Sequence, residues 1–137
     1  MEIASAQKVV PVSSLLLDTA NPRLSEVQSS QYDAILSTVK SQGEKLVNLA
    51  QHLVEHGPNP ASLLIVTPSN ENSTETYTVL DGNRRVAALK LLESPTLVDG
   101  VIDAKLYKRL KRLSLEFKKN PISTLNCIVV PNIEYAD

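Results

Sequence analysis

The sequence predicts an α+β domain, a small mixed β-sheet flanked by helices. Two observations carry that prediction. Short β-branched runs and stretches of helical periodicity follow one another in the order β-α-α-β-β-α-α-β. The two middle strands follow each other across a brief polar turn, "SNENST", as the arms of a hairpin do. A chain of 137 residues fits one such domain with a real core.

Each element has a local cause. Lys8 to Val12 form a short strand, and Pro11, which has no N–H to donate, places it at a sheet edge or a strand end. "DTANPRLSEVQSS" reads as loop, because Asn-Pro disfavours helix at Asn21. Tyr32 to Lys40 read as a short helix with Ile35, Leu36 and Val39 apolar. In "SQGEKLVNLAQHLVEHG", Leu46, Leu49, Ala50, Leu53 and Val54 recur at helical spacing, and Gly57-Pro58 ends that second helix. "ASLLIVTP" is a continuous apolar strand, expected to be buried on both faces. "ETYTVL" is its hairpin partner. "NRRVAALKLLES" reads as an amphipathic helix burying Val86, Leu89 and Leu92, stopped by Pro95. Asp103 is placed to cap a long helix whose buried stripe is Leu106, Leu110, Leu113 and Phe117. Pro121 ends that helix, and "LNCIVV" is the last strand.

Composition excludes several classes. No apolar run approaches the length of a membrane span, and the N-terminus lacks the pattern of a signal peptide. The single cysteine, Cys127, leaves no internal disulfide and no cysteine-rich zinc site, so a reducing, cytoplasmic setting is the expectation. Cys127 itself reads as a small core residue. The net charge of −1 conceals an asymmetry. Residues 1–82 hold four Lys/Arg against nine Asp/Glu, whereas residues 83–120 hold ten against four. The basic segment is centred on the long helix, where Lys105, Lys108, Arg109, Lys111 and Arg112 are candidates for contact with a nucleic-acid backbone. A solvated helix face is the alternative. With aromatic residues at 4%, base stacking on a single strand is disfavoured.

The strand-to-helix handover "LDGNRR" is the strongest local signal. The first N–H groups of a helix have no partner inside it and together carry roughly half a positive charge. An oxyanion placed there gathers backbone hydrogen bonds. Gly82 permits close approach and a positive φ. Arg84 and Arg85 supply planar donors suited to phosphate, although cations at a helix N-terminus are otherwise unfavourable. Asn83 caps the helix or touches a ligand. Asp81 holds an arginine, caps the helix, or reaches a metal on the phosphates. The competing reading is a structural ion pair between Asp81 and one of the arginines. His52 and His56, four apart on one helix, read as surface histidines; a metal pair would need a third ligand.

"YTVLDGNRRVAALKLL" resembles the central box of the ParB/sulfiredoxin superfamily, in which a strand ends in Gly-Glu-Arg-Arg and runs into an alanine-rich helix. "VSSLLLDTANPRL", "VKSQGEKLVNLAQHLVEHG" with "LLIV", and "LNCIVV" are similar to the family's flanking segments in the same order, so the resemblance spans about residues 8–130. It implies a nucleotide site, with CTP in ParB proteins and ATP in sulfiredoxins, and with Mg²⁺ bridging the phosphates. By position it implies that Gly82, Arg84 and Arg85 contact the triphosphate, with Asn83 beside them. Pro22 and Arg23 would supply the early segment next to it. Gly43, Glu44 and Lys45 fall where ParB proteins approach the nucleotide. Three departures matter. Asn83 stands where the family has glutamate, and an amide is not a general base, which argues against efficient hydrolysis. Sulfiredoxin's cysteine is missing from the box. ParB's DNA reader and dimer domain are absent from this sequence, which is otherwise compatible with a homodimer. The function expected is a nucleoside-triphosphate-dependent switch or weak NTPase in a DNA-associated plasmid, phage or defence protein. The alternatives are a nuclease or small-molecule kinase using Asp81, and an interaction domain that has lost the nucleotide.

Overall fold

The computed structural model describes residues 6–19, 30–69 and 76–131. Pro22 and Arg23 lie outside them. The strands are β1 (Ala6–Pro11), β2 (Leu15–Leu16), β3 (Leu64–Pro68), β4 (Tyr77–Asp81) and β5 (Thr124–Val129); the helices are α1 (Gln31–His56), α2 (Asn83–Glu93) and α3 (Ala104–Lys119). The five strands form one mixed sheet in the order β1-β5-β3-β4-β2. β1 runs antiparallel to β5, β3 antiparallel to β4, while β5 lies parallel to β3 and β2 parallel to β4. The sheet is mixed, as expected, and β1 with Pro11 sits at its edge. The two-residue β2 has no counterpart in the sequence reading, because so short a strand leaves no periodicity to detect.

Alternation decides which sheet face is inside. Val10, Leu125, Cys127, Leu64, Val66, Tyr77 and Val79 are all buried, while their neighbours along each strand are more exposed. Thr67 departs from that pattern at 7% exposure, but Ile65 on the same face is half-buried, so β3 is covered on its second face only in part. The inward residues join one core with the inner faces of the three helices.

α2 is more buried than its expected amphipathic pattern. Val86, Leu89 and Leu92 are inside as predicted, but so are Ala87, Ala88 and Leu91. The alanines are the reason: a methyl side chain lets neighbouring elements approach closely, and both α1 and α3 pack against α2. At its last turn the otherwise unpaired carbonyl of Leu92 accepts a 2.6 Å hydrogen bond from the buried Ser114 hydroxyl of α3. The two helices predicted between Tyr32 and Gly57 are both present and meet at a kink, where Gln42 leaves the helical region at φ −141° and ψ 33°; they are labelled together as α1. Asp103 caps α3 as expected, its carboxylate accepting from the Leu106 N–H at 2.8 Å.

Lys90, on α2, is only partly exposed, and that burial lowers its ammonium pKa from the usual 10.5. A folded-state pKa below the unfolded one is a cost to folding. It is fully present below the lowered folded value and fades as pH rises toward 10.5. Replacing the charge with an apolar chain of similar length, Lys90→Met, is expected to raise Tm at neutral pH by about 1–3 °C. The gain should shrink in alkaline buffer, and thermal unfolding monitored at several pH values measures both effects.

Candidate functional site

β4 reaches its end through an irregularity. Val66 pairs with Val79, but Ile65 pairs with Asp81, so the register slips by one residue just before the turn. A bulge of this kind bends the strand and re-aims the residues beyond it. The chain then turns at Gly82, with φ 107° and ψ 17°, and α2 begins. Two constraints fix glycine here. The positive φ disfavours any side chain, and a Cβ at this position would run into Leu64 Cδ2 on β3. The turn therefore lies directly on the sheet.

The start of α2 is electrostatically bare. No side chain caps it and no acid occupies its first turn. The Val86 N–H already reaches back to the Gly82 carbonyl at 3.2 Å. The three N–H groups before it, those of Asn83, Arg84 and Arg85, have no acceptor within the helix.

The residues of the box divide their work. Asn83 Oδ1 accepts from the Asp18 N–H, and its Nδ2 donates to the Val79 carbonyl, both at 3.0 Å. Its amide thus ties the segment after β2 to the strand-helix turn. Arg85 points back to the chain before β3, its Nη1 donating to the Ser62 carbonyl at 2.9 Å and its Nη2 to the Ser62 hydroxyl at 2.6 Å. This fork is a structural clamp, a use that the expectation of a phosphate ligand did not include. Arg84 is exposed and reaches across to α1, where its Nη1 donates to Gln42 Oε1 at 3.0 Å. Asp81 is exposed at the end of β4 and forms no ion pair with either arginine. The alternative of a structural Asp-Arg pair is therefore not realised, because both guanidiniums extend away from the turn to other partners.

Gln42 is the residue of the kink, so Arg84 pins the irregular point of α1 to the mouth of α2. Of the neighbouring trio, Glu44 and Lys45 are exposed. At Gly43 a Cβ would meet only Ile102 and Leu106 at ordinary contact distances of 3.7 and 3.8 Å. The described residues on either side of the Pro22-Arg23 stretch are also fixed. Leu17 exchanges two hydrogen bonds with the Gln31 side chain, at 2.6 and 2.8 Å, and Asp18 is held by Asn83. Leu17 and Asp18 are thus held beside Gln31 and the start of α2. Sequence reasoning missed Gln31, Gln42 and Ser62: isolated polar residues with no motif give no signal of their partners.

Other candidates resolve simply. Cys127 is buried, which pushes its thiol pKa up, with Arg85 partly opposing the shift. The rings of His52 and His56 lie 4.8 Å apart between centres, with their planes tilted by 46°. No group of three His, Cys, Asp or Glu capable of holding a metal occurs among the described residues. Arg109 differs from its basic neighbours, because its guanidinium is bound to Asn48 and Gln51 of α1 at 2.6–3.1 Å. It joins two helices and is withdrawn from the exposed basic set. No described helix is long and apolar enough to cross a membrane.

Neither a family model nor a curated protein matches this sequence. Among solved structures the chain is similar to the C-terminally truncated chromosome-partitioning protein ParB from Caulobacter crescentus, in complex with CTP-gamma-S. The TM-score is 0.52 at 15% identity, over 96% of this chain and 47% of that one. The chain therefore has the ParB-like fold and spans about half the length of that structure.

The double hydrogen bond of Asn83 makes a test of the site's architecture. A carboxylate accepts from Asp18 but cannot donate to Val79. Asn83→Asp is expected to lower stability by about 1–3 kcal/mol, read as a lower midpoint in urea unfolding with an unchanged slope.

Proposed function

We propose that the domain binds a nucleoside triphosphate at the start of α2 and acts as a nucleotide-dependent switch. One observation carries the reading: an uncapped helix N-terminus, set against the sheet by a glycine, has arginines and no acid in its first turn. Left alone, that arrangement opposes the helix dipole by about 0.3–1 kcal/mol per cation. A phosphate reverses the sign. The three N–H groups ahead of Val86 would receive phosphate oxygens, and Arg84 would exchange its neutral acceptor, Gln42, for an anionic one. Arg85 would hold the floor of the site through Ser62, leaving Arg84 as the mobile donor. The fold shared with a ParB that was solved with a CTP analogue supports this assignment.

CTP and ATP are the nucleotides to try first. Magnesium would bridge the phosphates, with Asp81 the nearest carboxylate on the chain. The side chain where the related motif has glutamate is here engaged on both sides by the fold. The reading is therefore of binding, with no base assigned for hydrolysis. Pro22, Arg23, Gly43, Glu44 and Lys45 are proposed to border the nucleotide, the last three from α1 after its kink.

A thermal-shift series with CTP, ATP, GTP and UTP, with and without Mg²⁺, tests the proposal. At least one nucleotide should raise Tm, and silence from all four rejects the reading. Arg84→Ala then locates the site. Losing one charge-assisted contact weakens binding by about 10- to 150-fold, which calorimetry reads directly. The melting temperature of the free protein should barely change, because Arg84 is exposed. Arg85→Ala should instead lower the stability of the free protein, since it removes the Ser62 clamp.

A further inference from the structure

α3 has two unlike sides. Leu110, Leu113, Ser114 and Phe117 are buried. Lys105, Lys108, Lys111, Arg112, Leu115, Lys118 and Lys119 are all exposed. At 3.6 residues per turn these seven fall within one arc of about 140°, along a helix roughly 24 Å long. The acid closest to them on the helix, Glu116, is already held by Lys119 at 3.1 Å. Among the described residues, Lys105, Lys108, Lys111, Arg112 and Lys118 have no carboxylate partner. Lys111 lies 5.0 Å above the Tyr107 ring, an attraction that holds its ammonium at the surface. Lys108 has cationic neighbours at Lys105, Lys111 and Arg112, three or four residues away, where like charges repel. No described carboxylate forms an ion pair with Lys108.

We infer that this face docks on the phosphate backbone of double-stranded DNA. Charge complementarity is the first argument: five cations along one helix, with no carboxylate partner among the described residues, match a polymer with a phosphate charge about every 1.7 Å of its axis. Chemistry excludes the competitors. A membrane-surface helix needs a broad apolar face turned to the lipid, whereas the apolar stripe of α3 is in the core and Leu115 is the single exposed leucine on this side. The cores of protein interfaces are depleted in lysine and enriched in aromatic residues, and this face is mostly lysine with no exposed ring of its own. The lack of aromatics equally disfavours single strands, which are bound by stacking. Contacts made by lysine ammoniums to phosphates carry no base information, so binding is indifferent to sequence. Arg109 takes no part, because α1 holds it. The surface belongs to α3 and does not depend on the nucleotide reading.

The test is fluorescence anisotropy of the protein with a short, mixed-sequence DNA duplex at about 50 and 200 mM salt. Binding should be in the micromolar range, with a log–log salt slope of about −4.5 if the five cations engage. Lys108→Glu with Arg112→Glu should weaken binding at least about tenfold and flatten the slope by about two. Lys40→Glu, an exposed change on α1, should leave it unaltered. If the double reversal does not fold by circular dichroism, Lys105→Gln with Lys111→Gln replaces it, with the same direction expected. No binding at the lower salt overturns the proposal. So does equal loss in the Lys40 variant, tighter binding to duplex RNA, or capture by phosphatidylserine vesicles in preference to DNA.

Discussion

The turn at Gly82 is the constraint on which the corner of this molecule depends. The backbone needs a positive φ there, and Leu64 occupies the space a Cβ would take. With no side chain in between, α2 starts hard against the sheet, and its first N–H groups emerge where β4 ends. The register slip opposite Ile65 gives β4 the bend that brings Asp81 and Gly82 to that point. The same closeness continues through Ala87 and Ala88, so that α2 is buried between its neighbours. A wider turn would lift the helix and lose both the packing and the presentation of its N-terminus.

Around that turn, three side chains link segments distant in sequence. Asn83 reaches residue 18, Arg85 reaches Ser62, and Arg84 reaches Gln42. Two of these links are part-buried and one is exposed, and the difference sets their roles. The Arg85 fork makes two short bonds to one residue, a geometry that fixes the loop before β3. The Arg84 bond is single, to a neutral amide, and open to water, so it exchanges at little cost. A pair of adjacent arginines is thus divided into one that holds and one that is free to change partner. That Gln42 also breaks the regularity of α1 means that a ligand recruiting Arg84 removes a restraint on the kink.

The fold was largely legible in the sequence because its signals are periodic or punctuated. The helical stripes of the second half of α1 and of α3, the β-branched runs of β3 and β4, and the Asp103 cap all have local causes, and each lies where expected. Features that depend on partners were not legible. β2 is two residues whose strand character comes entirely from pairing with Tyr77 and Thr78. The burial of Ala87 and Ala88 comes from tight packing, which a hydrophobic stripe does not encode. At the site, glycine and the helix start could be read from chain physics. The separate fates of Arg84 and Arg85 could not, since both are equally basic and their acceptors lie 42 and 23 residues away.

Asn83 shows why a departure from a motif is informative only with its surroundings. As a residue in place of glutamate, it argues against a general base and says nothing of what replaces it. In the fold it bridges an N–H and a carbonyl, a task that requires a group able to accept on one side and donate on the other. A carboxylate in that place would face the Val79 carbonyl with no proton to offer. Two oxygens would then repel each other in a partly buried setting, where water screens them less than at the surface. The amide therefore has a structural cause that stands without any ligand. The absence of a base at this position is then a consequence of how the segment after β2 is fastened to α2, and it leaves the uncapped, acid-free start of the helix intact.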